Sequence, residues 1–81
     1  MSIINENEIA RCVREAVNGY FNDLDGEKPH AIYDMVISSV EKPLIELMMS
    51  HAKGNQTRAA ELLGINRNTL RKKMQQLRIK G

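Results

Sequence analysis

One segment, residues 29–51, constrains the fold more than any other part of this chain. Its apolar residues recur with the period of a helix and cover more than half of the helix circumference. They are Ile32, Met35, Val36, Ile37, Val40, Leu44, Ile45, Leu47, Met48 and Met49. A helix that is apolar over so much of its surface must be covered by more than one neighbour. Because the apolar period continues in phase beyond Pro43, we predict one helix that is kinked at that proline.

The chain is too short to supply that cover from its own residues. With 81 residues it is a single small domain, and such domains usually gain stability from disulfides, a metal or a partner subunit. The single cysteine, Cys12, cannot form an intramolecular disulfide and is predicted to be a small buried or half-buried side chain. Cys12, His30 and His51 lack the spacing of a zinc site. We therefore expect a homodimer, without a metal or a cofactor.

Membrane insertion, secretion and catalysis are not expected. No apolar run approaches the roughly 18 residues of a membrane-spanning helix. Residues 1–6 lack the basic start and long apolar core of a signal peptide, so a cytoplasmic setting is the expectation. The sequence has no pair of carboxylates in an apolar setting and no glycine-rich phosphate-binding loop. We therefore predict no enzyme, no catalytic residues and no small-molecule substrate.

Three more helices are predicted, and no strand pattern is present, so the predicted fold class is all-α with four helices. Residues 1–7 are interpreted as a flexible tail that ends at Asn7, the predicted N-cap of the first helix. That helix has one apolar stripe, formed by Ile9, Val13, Ala16, Tyr20 and Leu24. Gly26 is expected to end it, and Pro29 is expected in the first turn of the next helix. We expect the tail to be followed by dimerisation helices over 8–52 and a separate C-terminal helical unit over 53–81.

Charge divides the chain into two unlike halves. Residues 1–50 carry four Lys or Arg against nine Asp or Glu, a net charge of −5. Residues 51–81 carry eight against one, a net charge of +7. A basic half on an otherwise acidic chain is typical of a protein that binds a polyanion. A solvated basic helix without a ligand would have the same composition, so charge alone leaves both interpretations open.

Residues 56–75 have the pattern of a helix-turn-helix. Asn55 is a suitable N-cap for a short helix over 56–63, and Asn66 is a suitable N-cap for a last helix that runs to about Leu77. Ala60 is small where the second helix would cross closely, and Gly64 allows the tight turn between them. Apolar residues are expected to join the two helices and seat them on the rest of the domain: Leu62, Leu63, Ile65, Leu70, Met74 and Leu77.

Polar and basic residues follow each of these two N-caps. The start of the first helix, Asn55-Gln56-Thr57, offers side-chain and backbone donors to a phosphate. In a helix-turn-helix the second helix enters the major groove with its N-terminal residues at the base edges. Arginine commonly reads guanine there, whereas lysine is better suited to phosphate. The second helix carries Asn66, Arg67, Asn68, Thr69, Arg71, Lys72 and Lys73.

The stretch from Gly54 to Met74 resembles the C-terminal helix-turn-helix of the Fis (factor for inversion stimulation) family. It is also similar to the C-terminal domain of NtrC-type enhancer-binding activators. Two further segments favour the Fis family. The residues Val17-Asn18-Gly19-Tyr20-Phe21 and Leu24-Asp25-Gly26 resemble its first helix and turn, and Glu41-Lys42-Pro43-Leu44 resembles its second helix. The resemblance covers about residues 9–78, and we expect a free-standing protein rather than an excised activator domain.

The resemblance implies a homodimer in which the first two helices of each subunit form an intertwined four-helix core. It implies a transcriptional regulator of the bacterial nucleoid whose two helix-turn-helix units stand closer together than successive major grooves, so that bound double-stranded DNA bends. It implies that Asn66 and Arg67 read bases and that Lys72 helps to fix the DNA. The full set of DNA contacts that it implies is Asn55, Thr57, Asn66, Arg67, Thr69, Arg71, Lys72 and Lys73.

The chain departs from the family pattern in two places. Only about eight residues precede the first predicted helix, where fuller members carry a β-hairpin arm that contacts site-specific invertases. We therefore do not expect invertase contact. Gln75 and Gln76 stand where the family often has lysines, so fewer flanking phosphate contacts are expected. The alternative function is a dimeric protein- or RNA-interaction module with a basic helical hairpin.

Overall fold

The computed structural model describes residues 6–81, and over that range it confirms the all-α fold class. The helices are α1 (Glu6–Leu24), α2 (Ile32–His51), α3 (Gln56–Leu63) and α4 (Arg67–Leu77). No strand occurs in the described range. The predicted flexible tail falls mainly on residues 1–5, which lie outside the described residues. None of the four helices is long and apolar enough to cross a lipid bilayer.

The first two helices begin at positions different from those predicted. α1 begins at Glu6, so Asn7 lies inside its first turn rather than capping it. The end of a helix commonly differs by one or two residues from its expected position. α2 begins at Ile32, three residues after Pro29, because Ala31 has a φ of 51° and so lies outside the right-handed helix. The Ala31 carbonyl nevertheless accepts the first helical bond, from the Met35 amide, at 3.0 Å.

The loop between α1 and α2 is closed by local bonds. Asp25 and Gly26 both have positive φ, at 51° and 87°, and the Glu27 amide donates to the Leu24 carbonyl at 3.0 Å. Glycine adopts such a conformation at little steric cost, which agrees with the predicted helix end. Farther along the loop, the His30 amide donates to the Tyr20 hydroxyl at 3.3 Å. The loop is thereby tied to α1.

α2 is one continuous helix with Pro43 inside it, as predicted, and the kink at that proline stays a prediction. Proline removes one backbone donor from a helix interior, yet apolar residues on both sides of Pro43 keep the helical period. Ile45 and Met49, on the C-terminal side, are the buried residues of this helix. The proline itself is exposed.

The chain comprises two compact units, one up to Val36 and one from Ile37 to Gly81. The second unit contains the hydrophobic core. Its buried side chains are Ile45, Met49, Ala52, Ala59, Ala60, Leu70 and Met74. Half-buried apolar side chains surround them, namely Met48, Leu63, Ile65, Leu77 and Ile79. This core packs α3 and α4 together and joins them to the C-terminal part of α2.

The first unit has no fully buried side chain among its described residues. Large apolar side chains in this unit remain exposed, including Ile9, Phe21, Tyr33 and Met35. Cys12 is also exposed, so its predicted burial is not found in the single chain. The apolar stripe of α1 is present, but periodicity identifies an apolar face without specifying which chain covers it.

Candidate nucleic-acid interface

The helix-turn-helix is organised around Gly64. Its φ of 75° and ψ of 29° are in the left-handed region, where glycine ends helices readily. The Gly64 amide donates to the Ala60 carbonyl at 2.9 Å, and the Ile65 amide donates to the same carbonyl at 3.1 Å. These bonds satisfy the end of α3 and turn the chain directly into α4. The predicted role of Gly64 is therefore confirmed.

Asparagine caps begin both helices of the motif. Asn55 Oδ1 accepts from the Arg58 amide at 3.1 Å, and Asn66 Oδ1 accepts from the Asn68 amide at 2.7 Å. Each bond satisfies one of the free amides at a helix N-terminus. Both asparagines are exposed, and the cap occupies only the side-chain oxygen. Their side-chain N–H groups can still donate to a phosphate or a base edge.

The inner face of α4 is built as the sequence predicts. Leu70 and Met74 are buried and Leu77 is half-buried, which matches the predicted inner stripe. On α3, Ala60 is buried as expected, and Ala59 is buried beside it. Small side chains at these positions let the two helices approach closely. Leu62, which was expected to help seat the motif on the rest of the domain, is 44% exposed because it lies on the outer side of α3.

The outer face of the motif carries most of the candidate contacts. Thr57 is exposed in the first turn of α3, and Arg67 and Thr69 are exposed in the first turn of α4. Arg71 and Lys72 are exposed in the middle of α4. The structure therefore leaves these five side chains, with Asn55 and Asn66, exposed on one packed helix pair. The arrangement presents hydroxyl, amide and guanidinium donors beside positive charge, which suits contacts with a nucleic acid.

Lys73 differs from the other candidate contacts because its charge is paired within the protein. Its Nζ atom lies 2.6 Å from Glu41 Oε2. The Lys73 side chain is 33% exposed and that of Glu41 is 26% exposed. The pair joins α4 to α2 across 32 residues of sequence. The ion pair occupies the Lys73 ammonium group in the single chain, and the predicted contact of Lys73 with DNA stays a prediction.

Glu41 and Gln56 make contacts in this region that the sequence pattern did not predict, and Gln56 was expected only to help offer donors to a phosphate. Glu41 lies four residues from both Ile37 and Ile45, on the side of α2 that carries the buried stripe. A carboxylate at such a position needs a partner, and this spacing was a usable signal. Gln56 Nε2 donates to the Gly81 carbonyl at 3.2 Å and so holds the C-terminal residues beside α3. Nothing in the local pattern around Gln56 indicates this contact.

The C-terminal end of α4 is closed by a left-handed cap, and the residues after it stay close to the core. Arg78 adopts a left-handed conformation with a φ of 58°, and the Ile79 amide donates to the Met74 carbonyl at 2.8 Å. The chain then returns over the core, where the Gly81 backbone lies so close to Met49 and Met74 that a Cβ atom would collide with them. Arg78 and Lys80 remain exposed at this end of the motif.

Metal chemistry has no support in this region or elsewhere among residues 6–81. No group of three or more His, Cys, Asp or Glu side chains in that range is placed to hold a metal ion. The candidate polar contacts of the motif other than Lys73 are exposed, whereas metal sites and catalytic sites need convergent ligands.

Comparison with known proteins identifies the family. Residues 36–77 match the family described as bacterial regulatory protein, Fis family. The chain is 53% identical over 73 residues to a protein of Ralstonia nicotianae that is named as Fis-like and DNA-binding; the match covers 90% of this chain and 95% of that protein. It is 49% identical over 71 residues to the DNA-binding protein Fis of Psychromonas ingrahamii, covering 88% of this chain and 72% of that protein. The expectation that the chain is not an enzyme agrees with a family of regulatory proteins. With a family match over residues 36–77 and relatives aligned along most of its length, this chain belongs to the Fis family.

Proposed function

We propose that this chain forms a homodimer that binds and bends double-stranded DNA in the bacterial nucleoid, and that it regulates transcription with loose sequence specificity. The observation that carries the proposal is that α4 is anchored in the core while its basic side chains remain in solvent. Leu70 and Met74 are buried, whereas Arg67, Arg71 and Lys72 are exposed. The names of the relatives from Ralstonia nicotianae and Psychromonas ingrahamii, both of which refer to DNA binding, support the same proposal.

Within this proposal the contacts divide by position along the motif. Arg67, in the first turn of α4, is the base reader, with Asn66 beside it. Arg71 and Lys72, farther along α4, contact phosphates, and Thr69 supports the first turn. Asn55 and Thr57 hold another phosphate at the N-terminus of α3, where the free amides and the helix dipole favour an anion.

The homodimer is proposed from apolar side chains that the single chain leaves uncovered. On α2, Tyr33 is 75% exposed and Leu47 is 57% exposed, and Val40 and Leu44 are also exposed. A run of large apolar side chains on one helix marks an interaction surface in a folded protein. A second copy of the chain, with the same apolar faces on α1 and α2, is the partner that would cover them.

DNA bending and loose specificity follow from the proposed contacts. A dimer presents two copies of α4, so DNA must adjust its path if their separation does not match successive major grooves. Few side chains on each α4 can reach base edges, so much of the selection would come from how readily a sequence deforms. If a DNA duplex carries one fluorescent label at each end, binding should bring the two ends closer together. Energy transfer between the two labels would measure that change.

Binding to DNA duplexes and to RNA of the same length tests the proposal most directly. Fluorescence anisotropy would compare DNA duplexes of about 25–30 base pairs with RNA of the same length. With about 6–10 phosphates neutralised by a dimer, the logarithm of affinity should fall against the logarithm of salt concentration with a slope of about −5 to −9. A slope near zero would contradict contact with the DNA backbone. Equal binding to RNA without a preference for duplex DNA would favour an RNA-interaction module instead.

A further inference from the structure

The Glu41–Lys73 ion pair differs in kind from the other pair formed by residues of the second unit. Arg58 and Glu61 are three residues apart on α3, their closest atoms are 3.5 Å apart, and their side chains are 60% and 63% exposed. An ion pair of that type contributes little to stability because water screens it. Glu41 and Lys73 lie on different helices, are separated by only 2.6 Å, and are mostly shielded from solvent. Their attraction is screened less, so the pair can fix one helix relative to another.

The neighbours of both residues show what the pair holds in place. Glu41 is one turn from the buried Ile45 on α2. Lys73 precedes the buried Met74 and is three residues from the buried Leu70, so it leaves α4 at the edge of the core-facing side. Apolar contacts are non-directional, so Leu70 and Met74 limit rotation of α4 about its axis only through their burial and packing. The short Glu41–Lys73 contact, at the edge of the apolar core, is directional and can therefore orient α4 relative to α2.

We propose that Glu41 is a positioning residue for the recognition helix: through Lys73 it sets the rotation of α4 and therefore the angle at which Arg67 meets the base edges. The inference rests on the proposed DNA binding. It also assigns Lys73 to the internal anchor instead of a phosphate contact. Glu41 itself does not touch DNA in this proposal, since its carboxylate is occupied by the Lys73 ammonium group.

Loss of the Glu41–Lys73 pair should affect base recognition more than phosphate contacts. Without the anchor, α4 samples other rotations, and only the fraction of molecules in the correct orientation can pair Arg67 with a base. Phosphate contacts tolerate such rotation because flexible side chains can follow the backbone. Loss of Glu41 should therefore lower affinity for a preferred duplex more than affinity for random DNA. Loss of the Lys73 charge should do the same without changing the salt dependence.

The experiment compares Glu41→Gln, Lys73→Met and the exchanged pair Glu41→Lys/Lys73→Glu with the wild-type dimer. Glu46→Gln is the matched control because it makes the same change at an exposed position of α2. We expect each single variant to reduce the ratio of preferred to random affinity about five- to tenfold, with the salt slope unchanged. The exchanged pair should recover most of that ratio, and Glu46→Gln should leave it unchanged.

Two results would overturn the proposal. The first is a Lys73→Met variant that weakens preferred and random DNA equally and makes the salt slope shallower, because Lys73 would then be a phosphate contact. The second is a Glu41→Gln variant with unchanged or higher affinity for both duplexes, because Glu41 would then only compete with DNA for Lys73.

Hydrogen exchange without DNA provides a measurement that does not depend on the proposed function. Amides of α4 should exchange faster in Glu41→Gln than in the wild type, while those of Glu46→Gln should match the wild type. If the wild-type protein binds no DNA, the proposed function fails, and the role of Glu41 in DNA recognition fails with it. In that case, faster exchange of the α4 amides in Glu41→Gln would establish only that the Glu41–Lys73 pair holds α4 in place. Unchanged exchange would contradict that structural role as well.

Discussion

Arg67 is the side chain through which we expect this protein to distinguish one base sequence from another. It is exposed in the first turn of α4, and its planar guanidinium can donate two bonds to one guanine. Arg67→Ala should cost about 1–3 kcal/mol for each half-site of a preferred duplex and much less on random DNA. Competition binding between the two duplexes measures the difference.

Lys72→Ala is the matched comparison for that variant. Lys72 is exposed on the same helix, on the side away from Leu70, and its point charge suits a phosphate. It should weaken preferred and random DNA by similar factors. Both variants should keep the helical circular dichroism of the wild type, since neither side chain enters the core. If Arg67→Ala also weakened both duplexes equally, Arg67 would be a phosphate contact, and Asn66 would be the next candidate base reader.

At the scale of the helices, the same substitution should have opposite effects at two glycines. Gly64 ends α3 with a φ of 75°, and a Cβ atom there would meet no atom within 4 Å. Gly64→Ala should therefore cost only the strain of the left-handed conformation, about 1–2 kcal/mol. Gly19 lies inside α1, where a Cβ atom also meets nothing within 4 Å. Gly19→Ala should stabilise the protein by about 0.5–1 kcal/mol because alanine favours a helix interior.

Chemical denaturation at one fixed protein concentration tests both substitutions together. A shared concentration is needed because the stability of a dimer depends on it. The expected signs are opposite for the two variants. A destabilising Gly19→Ala with weaker association would contradict the prediction and would mean that the partner subunit packs against Gly19.

The elements that sequence predicted well are those fixed by neighbouring residues. The caps at Asn55 and Asn66 and the turn at Gly64 depend on hydrogen bonds that span only a few residues, so their residue types indicate them directly. The start of α2 was placed too early because Pro29 suits a first helical turn, but the backbone at Ala31 prevents the helix from beginning there.

The parts that the sequence did not predict depend on residues far apart in the chain. The Glu41–Lys73 pair forms across 32 residues, and only the position of Glu41 on an apolar stripe hinted at a partner. Cys12, whose burial was expected, is exposed in the single chain, and Met35, which belongs to the apolar pattern of α2 that neighbours were expected to cover, is 37% exposed there. Helical periodicity identified the apolar sides of α1 and α2 but could not say whether this chain or another covers them.

For the whole molecule, the central prediction is that folding and dimerisation occur together. The buried core belongs to the second unit, and large apolar side chains of α1 and α2 lie in solvent in the single chain. Such a chain has no stable folded monomer if those faces need a partner. The melting temperature should therefore rise with protein concentration, and sedimentation equilibrium should give the mass of a dimer. A melting temperature independent of concentration, together with a monomer mass, would contradict the prediction.

Oxidation of the two buried methionines would disrupt the core of the helix-turn-helix. Met49 and Met74 are both buried and share one small core with three alanines, one leucine and one isoleucine. A methionine sulfoxide is polar and would not fit among those side chains. The folded core should protect both sulfur atoms, so each would react only when the core opens.

Because Met49 and Met74 lie in the same small core, we expect one opening event to expose both sulfur atoms. Peroxide should then oxidise the two residues at the same rate, well below that of free methionine in the same solution. Mass spectrometry of the peptides measures the two rates, and unequal rates would mean that the two residues are not exposed by a common opening. Each oxidised molecule should be unable to re-form the hydrophobic core that holds α4 in place. Oxidative damage would then remove DNA binding one molecule at a time, at a rate set by how often this small core opens.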